Sequence, residues 1–159
     1  MSISYEYEPC DILKAREILI SRTQKYEKGE NEDVISIMTG IQEQKGNVHL
    51  KIGTPLSQEE LQLASECNKN DRYQYIRNAI DRRVISGYYL WNTNYMGYDL
   101  ANGTSKYADK YTAEELEQFK AYIESKLDKV EPELSRDDLR DILLRIYGNP
   151  VQSKENLTQ

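Results

Sequence analysis

The chain has 159 residues, of which 38% are hydrophobic and 30% are charged, and its 21 basic and 27 acidic side chains leave a formal net charge of −6. An acidic chain of this kind is a poor ligand for phosphate backbones, so the composition argues against a nucleic-acid partner. The longest apolar run, at 88–91, is far shorter than the roughly 20 residues of a membrane-spanning helix, and no segment has the pattern of a secretion signal. We therefore expect a cytoplasmic protein without a transmembrane segment.

The first third of the chain predicts two strands separated by two helices. Alternation of apolar and polar residues predicts a strand over Ser2–Tyr7 and a second strand, in the same sheet, over Val48–Ile52. A first helix is expected from Asp11, and a second helix after the cap Asn31. The second helix has an apolar face that we expect to pack on a sheet or on another helix, formed by Val34, Ile37, Met38 and Ile41.

The rest of the chain contains repeated helix-start signals. Capping boxes, in which a small polar residue precedes a carboxylate by three positions, occur at Ser57 with Glu60, Thr112 with Glu115, and Ser135 with Asp138. Another helix is expected over Asp71–Gly87. No helical period holds over 88–111, which predicts an ordered, aromatic-rich connection. The last helix is expected to end at Gly148 and Pro150, and the polar tail 151–159 is expected to be disordered.

These elements predict the α/β class, with a small incomplete sheet of two strands and about six helices that lie mainly in the second half. The predicted organisation is a sheet region over 1–56, a helical cap over 57–150 and the tail. Because an isolated two-stranded sheet is only marginally stable, we expect sequence before Met1 or a partner to complete it. Whether Met1 is the natural start stays open. An open sheet edge also predicts self-association through the strand at 2–7.

The sequence offers no catalytic constellation. His49 is the only histidine, and Cys10 and Cys67 are too far apart in the sequence for a redox or metal pair. The chain contains neither a calcium-binding loop nor a glycine-rich phosphate loop. We therefore predict no catalytic residue, no metal site and no cofactor.

The most unusual stretch, between Ile80 and Asp99, combines two arginines with a dense group of aromatic residues. Large rings with polar tips suit a partner interface or a ligand groove, and the arginines suit an anionic headgroup. This candidate ligand or partner surface consists of Arg82, Arg83, Trp91, Tyr95 and Tyr98. The alternative, which we favour, is that the rings pack internally with Trp91 buried and that the arginines form ion pairs.

Three stretches of the chain are informative in combination. They are SISYEYEPC at Ser2–Cys10, GNVHLKIGTPL at Gly46–Leu56, and IDRRVISGYYLWNTNYMGYD at Ile80–Asp99. Together they resemble the C-terminal half of the bacterial glycerolphosphate and 1-acylglycerol-3-phosphate acyltransferases of phospholipid synthesis. The resemblance covers about Ser2 to Leu127.

The resemblance implies that this chain does not carry the catalytic residues of the family. Family members use a His-x-x-x-x-Asp pair, whose histidine deprotonates the acceptor hydroxyl, and a Glu-Gly-x-Arg block that binds phosphate. Neither is present here, and Thr54 stands where an aspartate would follow His49.

The implied protein is therefore the non-catalytic C-terminal part of an enzyme that transfers an acyl chain to lysophosphatidate or glycerol phosphate. Its expected partner is the N-terminal catalytic half of the same protein, at the inner face of the membrane, and peripheral membrane contact is expected only for the full enzyme. The alternative is a stand-alone, non-enzymatic interaction module that uses the aromatic stretch 88–98.

Overall fold

The computed structural model describes residues 1–158 and has the predicted mixed α/β class, with one small sheet and mostly helical structure. The elements are β1 (Ser2–Tyr5), α1 (Asp11–Ser21), α2 (Glu32–Gln42), β2 (Val48–Lys51), α3 (Gln58–Glu66), α4 (Lys69–Ser86), α5 (Asn92–Asn102), α6 (Ala113–Leu127) and α7 (Arg136–Thr158). A short 3-10 turn, Ala108–Lys110, precedes α6. No helix within 1–158 combines the length and the apolar character needed to span a bilayer.

The predicted sheet forms as an antiparallel pair of β1 and β2. Ile3 lies opposite Leu50, and Ser4 lies opposite His49. Because side chains alternate between the faces of a sheet, Ile3 and Leu50 share one face while Ser4 and His49 share the other. These two strands make up the whole sheet within residues 1–158, so neither of them has a further strand on its outer side.

The hydrophobic core lies around α7, which packs against α1, α4, α5 and α6. The buried core side chains come from four helices: Ala15, Met96, Phe119, Ile123, Leu127, Leu139, Ile142, Leu143 and Tyr147. Ala15 belongs to the predicted sheet region and the others to the predicted helical cap. The two predicted regions therefore contribute to one core.

The predicted capping boxes position the helices that follow them. Ser57 Oγ accepts a hydrogen bond from Glu60 N at 3.1 Å, and the Glu60 carboxylate accepts one from Ser57 N at 2.8 Å. Thr112 and Glu115 form the same reciprocal arrangement at the start of α6. These local bonds satisfy backbone N–H groups that a helix start leaves free, so the sequence signal and the observed boundary coincide.

The prediction of an irregular connection over 88–111 is wrong, because α5 occupies the middle of this stretch. Most of the buried positions of α5 are small or polar: Thr93, Asn94, Gly97 and Asp99, with Met96 as the one large apolar residue among them. A helix whose buried face is polar has no apolar period, so the sequence pattern did not reveal it.

The predicted end of the last helix is also wrong. Helix α7 continues through Gly148 and Pro150 to Thr158, so the tail expected to be disordered is helical as far as it is described. Val151 is 2% exposed, and this burial holds the polar C-terminal turns against the body of the protein. Gln159 lies outside the described residues.

Helix α2 forms where it was predicted, but the side chain of Asn31 makes no capping hydrogen bond and the apolar face of the helix does not pack. No residue of α2 is buried, and its large apolar side chains are 45–68% exposed. The expectation that this face lies against a sheet or another helix is therefore not met within residues 1–158.

Candidate functional site

The two predicted arginines have different surroundings. Arg83 Nη2 donates to the Glu60 carboxylate at 2.6 Å, and its Nη1 donates to the carbonyl oxygen of Ala79 at 3.0 Å. Arg82 is exposed, and no ion pair involves it in the described part of the chain. The expected ion pairing thus holds for Arg83, while Arg82 keeps an uncompensated charge.

Trp91 packs on the edge of the sheet. Its Nε1 donates to the carbonyl oxygen of Ser4 at 3.2 Å, and its ring centroid lies 4.3 Å from that of Tyr89. The side chain is half-buried, so the structure places Trp91 between the buried and the accessible alternatives.

Tyr95 and Tyr98 lie in a separate aromatic group. Their ring centroids are 5.1 and 5.3 Å from that of Tyr107, and Lys106 Nζ lies 5.5 Å from the Tyr98 ring centroid. These rings pack against one another where α5 meets the connection to α6. The five predicted surface residues are therefore distributed among three places and do not form one continuous site.

The three stretches that carry the family resemblance do come together. In addition to the pairing of β1 with β2, the backbone N–H of Tyr89 donates to Ser4 Oγ at 3.0 Å, and Thr93 Oγ1 donates to the carbonyl oxygen of Glu6 at 2.7 Å. The ring centroids of His49 and Tyr89 are 5.2 Å apart. We call this unit, made of β1, β2 and residues 87–93, the motif cluster.

Two carboxylates are fully buried, and Asp11 has the larger set of partners. Its Oδ2 accepts hydrogen bonds from the hydroxyls of Tyr122 at 2.7 Å and Tyr147 at 2.8 Å. Lys126 Nζ lies 3.5 Å from the other carboxylate oxygen and donates to Glu43 at 3.0 Å. Burial, followed by the Asp11 charge, raises the pKa of both tyrosines, so their hydroxyls remain protonated donors.

The second buried carboxylate, Asp99, organises the connection after α5. It accepts hydrogen bonds from Thr104 Oγ1 at 2.8 Å, from the backbone N–H of Tyr107 at 2.9 Å, and from the Tyr111 hydroxyl at 2.8 Å. Burial and then this hydrogen bond raise the pKa of Tyr111 to about 12. Both buried carboxylates are thus saturated by donors, which suits a structural role and not a general base.

Residues 1–158 contain no group of three or more His, Cys, Asp and Glu side chains arranged to hold a metal ion. His49 is half-buried beside the Tyr89 ring, and no carboxylate bonds to its imidazole within that range. The arrangement around His49 therefore lacks the oriented ring that general-base catalysis uses.

Exposed apolar side chains of α2 and of β2 are instead the most distinctive feature of the molecule. We call this set the 32–52 surface, and it comprises Val34, Ile35, Ile37, Met38 and Ile41 of α2, Val48 and Leu50 of β2, and the following Ile52, all 45–79% exposed. Ile3, opposite Leu50 in the sheet, is 40% exposed and extends it. Concentrated exposed apolar residues of this kind mark interaction sites in soluble proteins.

A second surface feature lies where the C-terminal turns of α4 and α7 meet. A shallow pocket of about 520 Å³ is lined by Arg82, Arg83, Ser86, Lys154 and Leu157. Neither Lys154 nor Leu157 was predicted as a site residue, because both lie in the tail that was expected to be disordered.

In comparisons with known proteins, no family model, no curated protein and no solved structure matches this chain. The geometry of the molecule and the resemblance of its three stretches are the grounds on which a function is proposed.

Proposed function

We propose that this chain is the non-catalytic C-terminal portion of a phospholipid-synthesis acyltransferase. It contributes a sheet edge and a helical cover, while the histidine base and the phosphate-binding residues belong to the N-terminal catalytic portion of the same protein. The reaction is transfer of an acyl group from a thioester donor to the hydroxyl of lysophosphatidate or glycerol phosphate.

The motif cluster is the observation that carries this proposal. The stretches that carry the resemblance are far apart in the sequence, yet Tyr89 and Trp91 bond directly to Ser4, and Thr93 bonds to Glu6. These contacts join the three stretches into one structural unit, which supports treating them together as one motif set.

The 32–52 surface supplies the place where the catalytic portion docks. In the isolated chain, Leu50 is 53% exposed and Ile41 is 68% exposed. Covering such side chains stabilises a complex by about 25 cal/mol per Å² of apolar surface removed from water. The outer side of β2, which has no further strand within residues 1–158, adds backbone donors and acceptors with which a strand of the catalytic portion pairs.

The side chains of this chain indicate which portion of the enzyme supplies the catalytic base. Asp11 and Asp99 are saturated by hydrogen-bond donors, and His49 has no carboxylate to orient it. None of these groups is available to take a proton from an acceptor hydroxyl. The catalytic base must therefore be supplied by the other portion of the enzyme.

The test compares this chain with the protein translated from the complete reading frame that contains it. Both are assayed for thiol release from acyl-CoA with lysophosphatidate as the acceptor. We expect turnover only from the longer protein, whose added sequence contains His-x-x-x-x-Asp. In that protein, alanine at the motif histidine abolishes turnover and His49→Ala does not.

Two results oppose the proposal. One is a reading frame in which a stop codon precedes Met1 and no such motif is encoded. The other is turnover by the chain alone that His49→Ala abolishes. The first result favours the alternative of a stand-alone interaction module using 88–98. Within that stretch, Tyr89, 48% exposed, is the most accessible aromatic residue.

A further inference from the structure

The shallow pocket between the C-terminal turns of α4 and α7, which we call the α4–α7 pocket, has a chemistry unlike the rest of the surface. Arg82 and Arg83 reach it from α4, and Lys154 reaches it from α7. No carboxylate is among its lining residues. The chain has a net charge of −6, so this group of cations forms a locally positive patch on a negatively charged protein.

Two of the three cations are free to bind an anion. Arg83 is committed to Glu60, whereas Arg82 and Lys154 form no ion pair with any part of the chain that the structure describes. Glu155, the acidic neighbour of Lys154, bonds to Lys106 and to the Tyr107 hydroxyl.

The pocket also has an apolar component and an open shape. Leu157, 37% exposed, lines the pocket together with the basic side chains. Small metabolites are usually enclosed on most sides, which a shallow pocket does not permit. Basic side chains next to an aliphatic side chain suit the interface of a membrane, where charged headgroups lie above the hydrocarbon.

We infer that the α4–α7 pocket binds the phosphate headgroups of an anionic lipid surface, with Arg82 and Lys154 contacting phosphate oxygens and Leu157 entering the acyl boundary. The overall negative charge opposes approach only weakly, because charges farther away than about 8 Å are largely screened at physiological ionic strength. This inference depends on the pocket alone and goes beyond the proposed acyltransferase role.

The experiment measures co-sedimentation of the full chain with vesicles of phosphatidylcholine, with and without phosphatidylglycerol, at physiological salt. We expect binding only to the vesicles that contain phosphatidylglycerol. Each basic residue near such a surface contributes about a fivefold change in partitioning, so Arg82→Ala and Lys154→Ala each weaken binding about fivefold and the double variant about 25-fold. Leu157→Ser weakens binding as well.

Lys25→Ala is the matched control, because Lys25 is exposed like Arg82 and, like both pocket cations, forms no ion pair within residues 1–158. It adjoins Tyr26, whose hydroxyl accepts from Arg16, and Arg16 bonds to Glu131 just before α7 begins. Since the 23 residues of α7 span roughly 35 Å, Lys25 is remote from the pocket. We expect its removal to leave vesicle binding unchanged.

Four outcomes overturn the inference. One is equal binding to both vesicle types, and another is a loss in the Lys25 variant equal to that in the pocket variants. The third is binding of inorganic phosphate without vesicle binding, which assigns the pocket to a soluble anion. If the cations only complement the helix C-termini, the pocket variants lower the thermal midpoint and leave vesicle binding unchanged, which also overturns it.

Discussion

Gly97 of α5 and Gly148 of α7 meet backbone to backbone where the two helices cross. A Cβ atom at Gly97 would lie 2.9 Å from the carbonyl oxygen of Leu144 and 3.1 Å from the Gly148 nitrogen. A Cβ atom at Gly148 would lie 2.9 Å from the nitrogen and the Cα of Tyr98. The absence of side chains at both positions lets the helices approach closely and brings Asn94 within hydrogen-bonding distance, 3.0 Å, of the Tyr147 carbonyl oxygen.

Substitution at this crossing should therefore destabilise the fold. We expect Gly97→Ala and Gly148→Ala each to lower the free energy of unfolding by about 1–3 kcal/mol, because the obstructing atoms are largely backbone and cannot rotate away. The measurement is urea unfolding followed by circular dichroism. Gly40→Ala in α2 is the control, since its Cβ would lie 3.7 Å from Cys10 Sγ, an ordinary contact. A loss in the Gly40 variant equal to that at the crossing would contradict the explanation.

The crossing also shows which parts of the fold were predictable. The starts of α3 and α6 follow from capping boxes, in which Ser57 and Thr112 bond to residues three positions away. Helix α5 could not be predicted in the same way. Its residues Thr93, Asn94 and Gly97 are buried only because α7 and the residue that follows β1, Glu6, provide partners, and those partners are remote in sequence.

The candidate site was also predictable only in part. The sequence identified Arg82 and Arg83 as anion-binding candidates from residue type alone. It could not separate their roles, because the Glu60 that neutralises Arg83 lies on another helix. It also could not add Lys154, because Pro150 and the polar composition after it resemble a chain end. Helix α7 continues there since tertiary contacts, including burial of Val151, outweigh the local signals.

The buried cluster around Asp11 should contribute strongly to stability. We expect Asp11→Ala to lower the free energy of unfolding by about 1–3 kcal/mol for each of the two tyrosine hydroxyls, Tyr122 and Tyr147, that lose this acceptor, while Lys126 keeps its ion pair with Glu43. Tyr147→Phe should cost about 1–3 kcal/mol, since the backbone N–H of Glu8 also loses its acceptor.

A double-mutant cycle tests whether these groups act together. The double variant of Asp11 and Tyr147 should lose less stability than the sum of the single losses, because the two side chains share one hydrogen bond. Lys14→Ala, which removes an exposed ion pair with Glu17, serves as the control and should change stability by less than about 0.5 kcal/mol. Strict additivity of the Asp11 and Tyr147 losses would argue against a coupled cluster.

Acid should weaken the contact between α6 and α7 through Glu124. Hydrogen bonds from Arg140 and then Arg136 lower the pKa of Glu124 from 4.5 to about 2. A carboxylate whose pKa is lower in the folded state stabilises the protein above its unfolded pKa, and this stabilisation is lost as the pH falls from about 4.5 towards 2.

The stability advantage of the wild type over Glu124→Gln should therefore shrink across that pH range, as measured by urea unfolding at a series of pH values. The side chain of Glu124 is 44% exposed, so solvent screens the interaction and added salt should reduce the advantage at neutral pH. A difference between the two proteins that does not vary with pH would mean that the ion pairs of Glu124 are not the cause.

The isolated chain should self-associate through the 32–52 surface and the neighbouring outer side of β2. Leu50 and its cross-strand partner Ile3 are 53% and 40% exposed, so two copies remove apolar surface from water by pairing there. We expect light scattering to give a mass that rises with concentration, and Leu50→Lys to restore the monomer without lowering the free energy of unfolding. Lys51→Ala, at the adjacent exposed position, is the control and should still associate. A wild-type chain that stays monomeric at high concentration would show that this surface needs no cover.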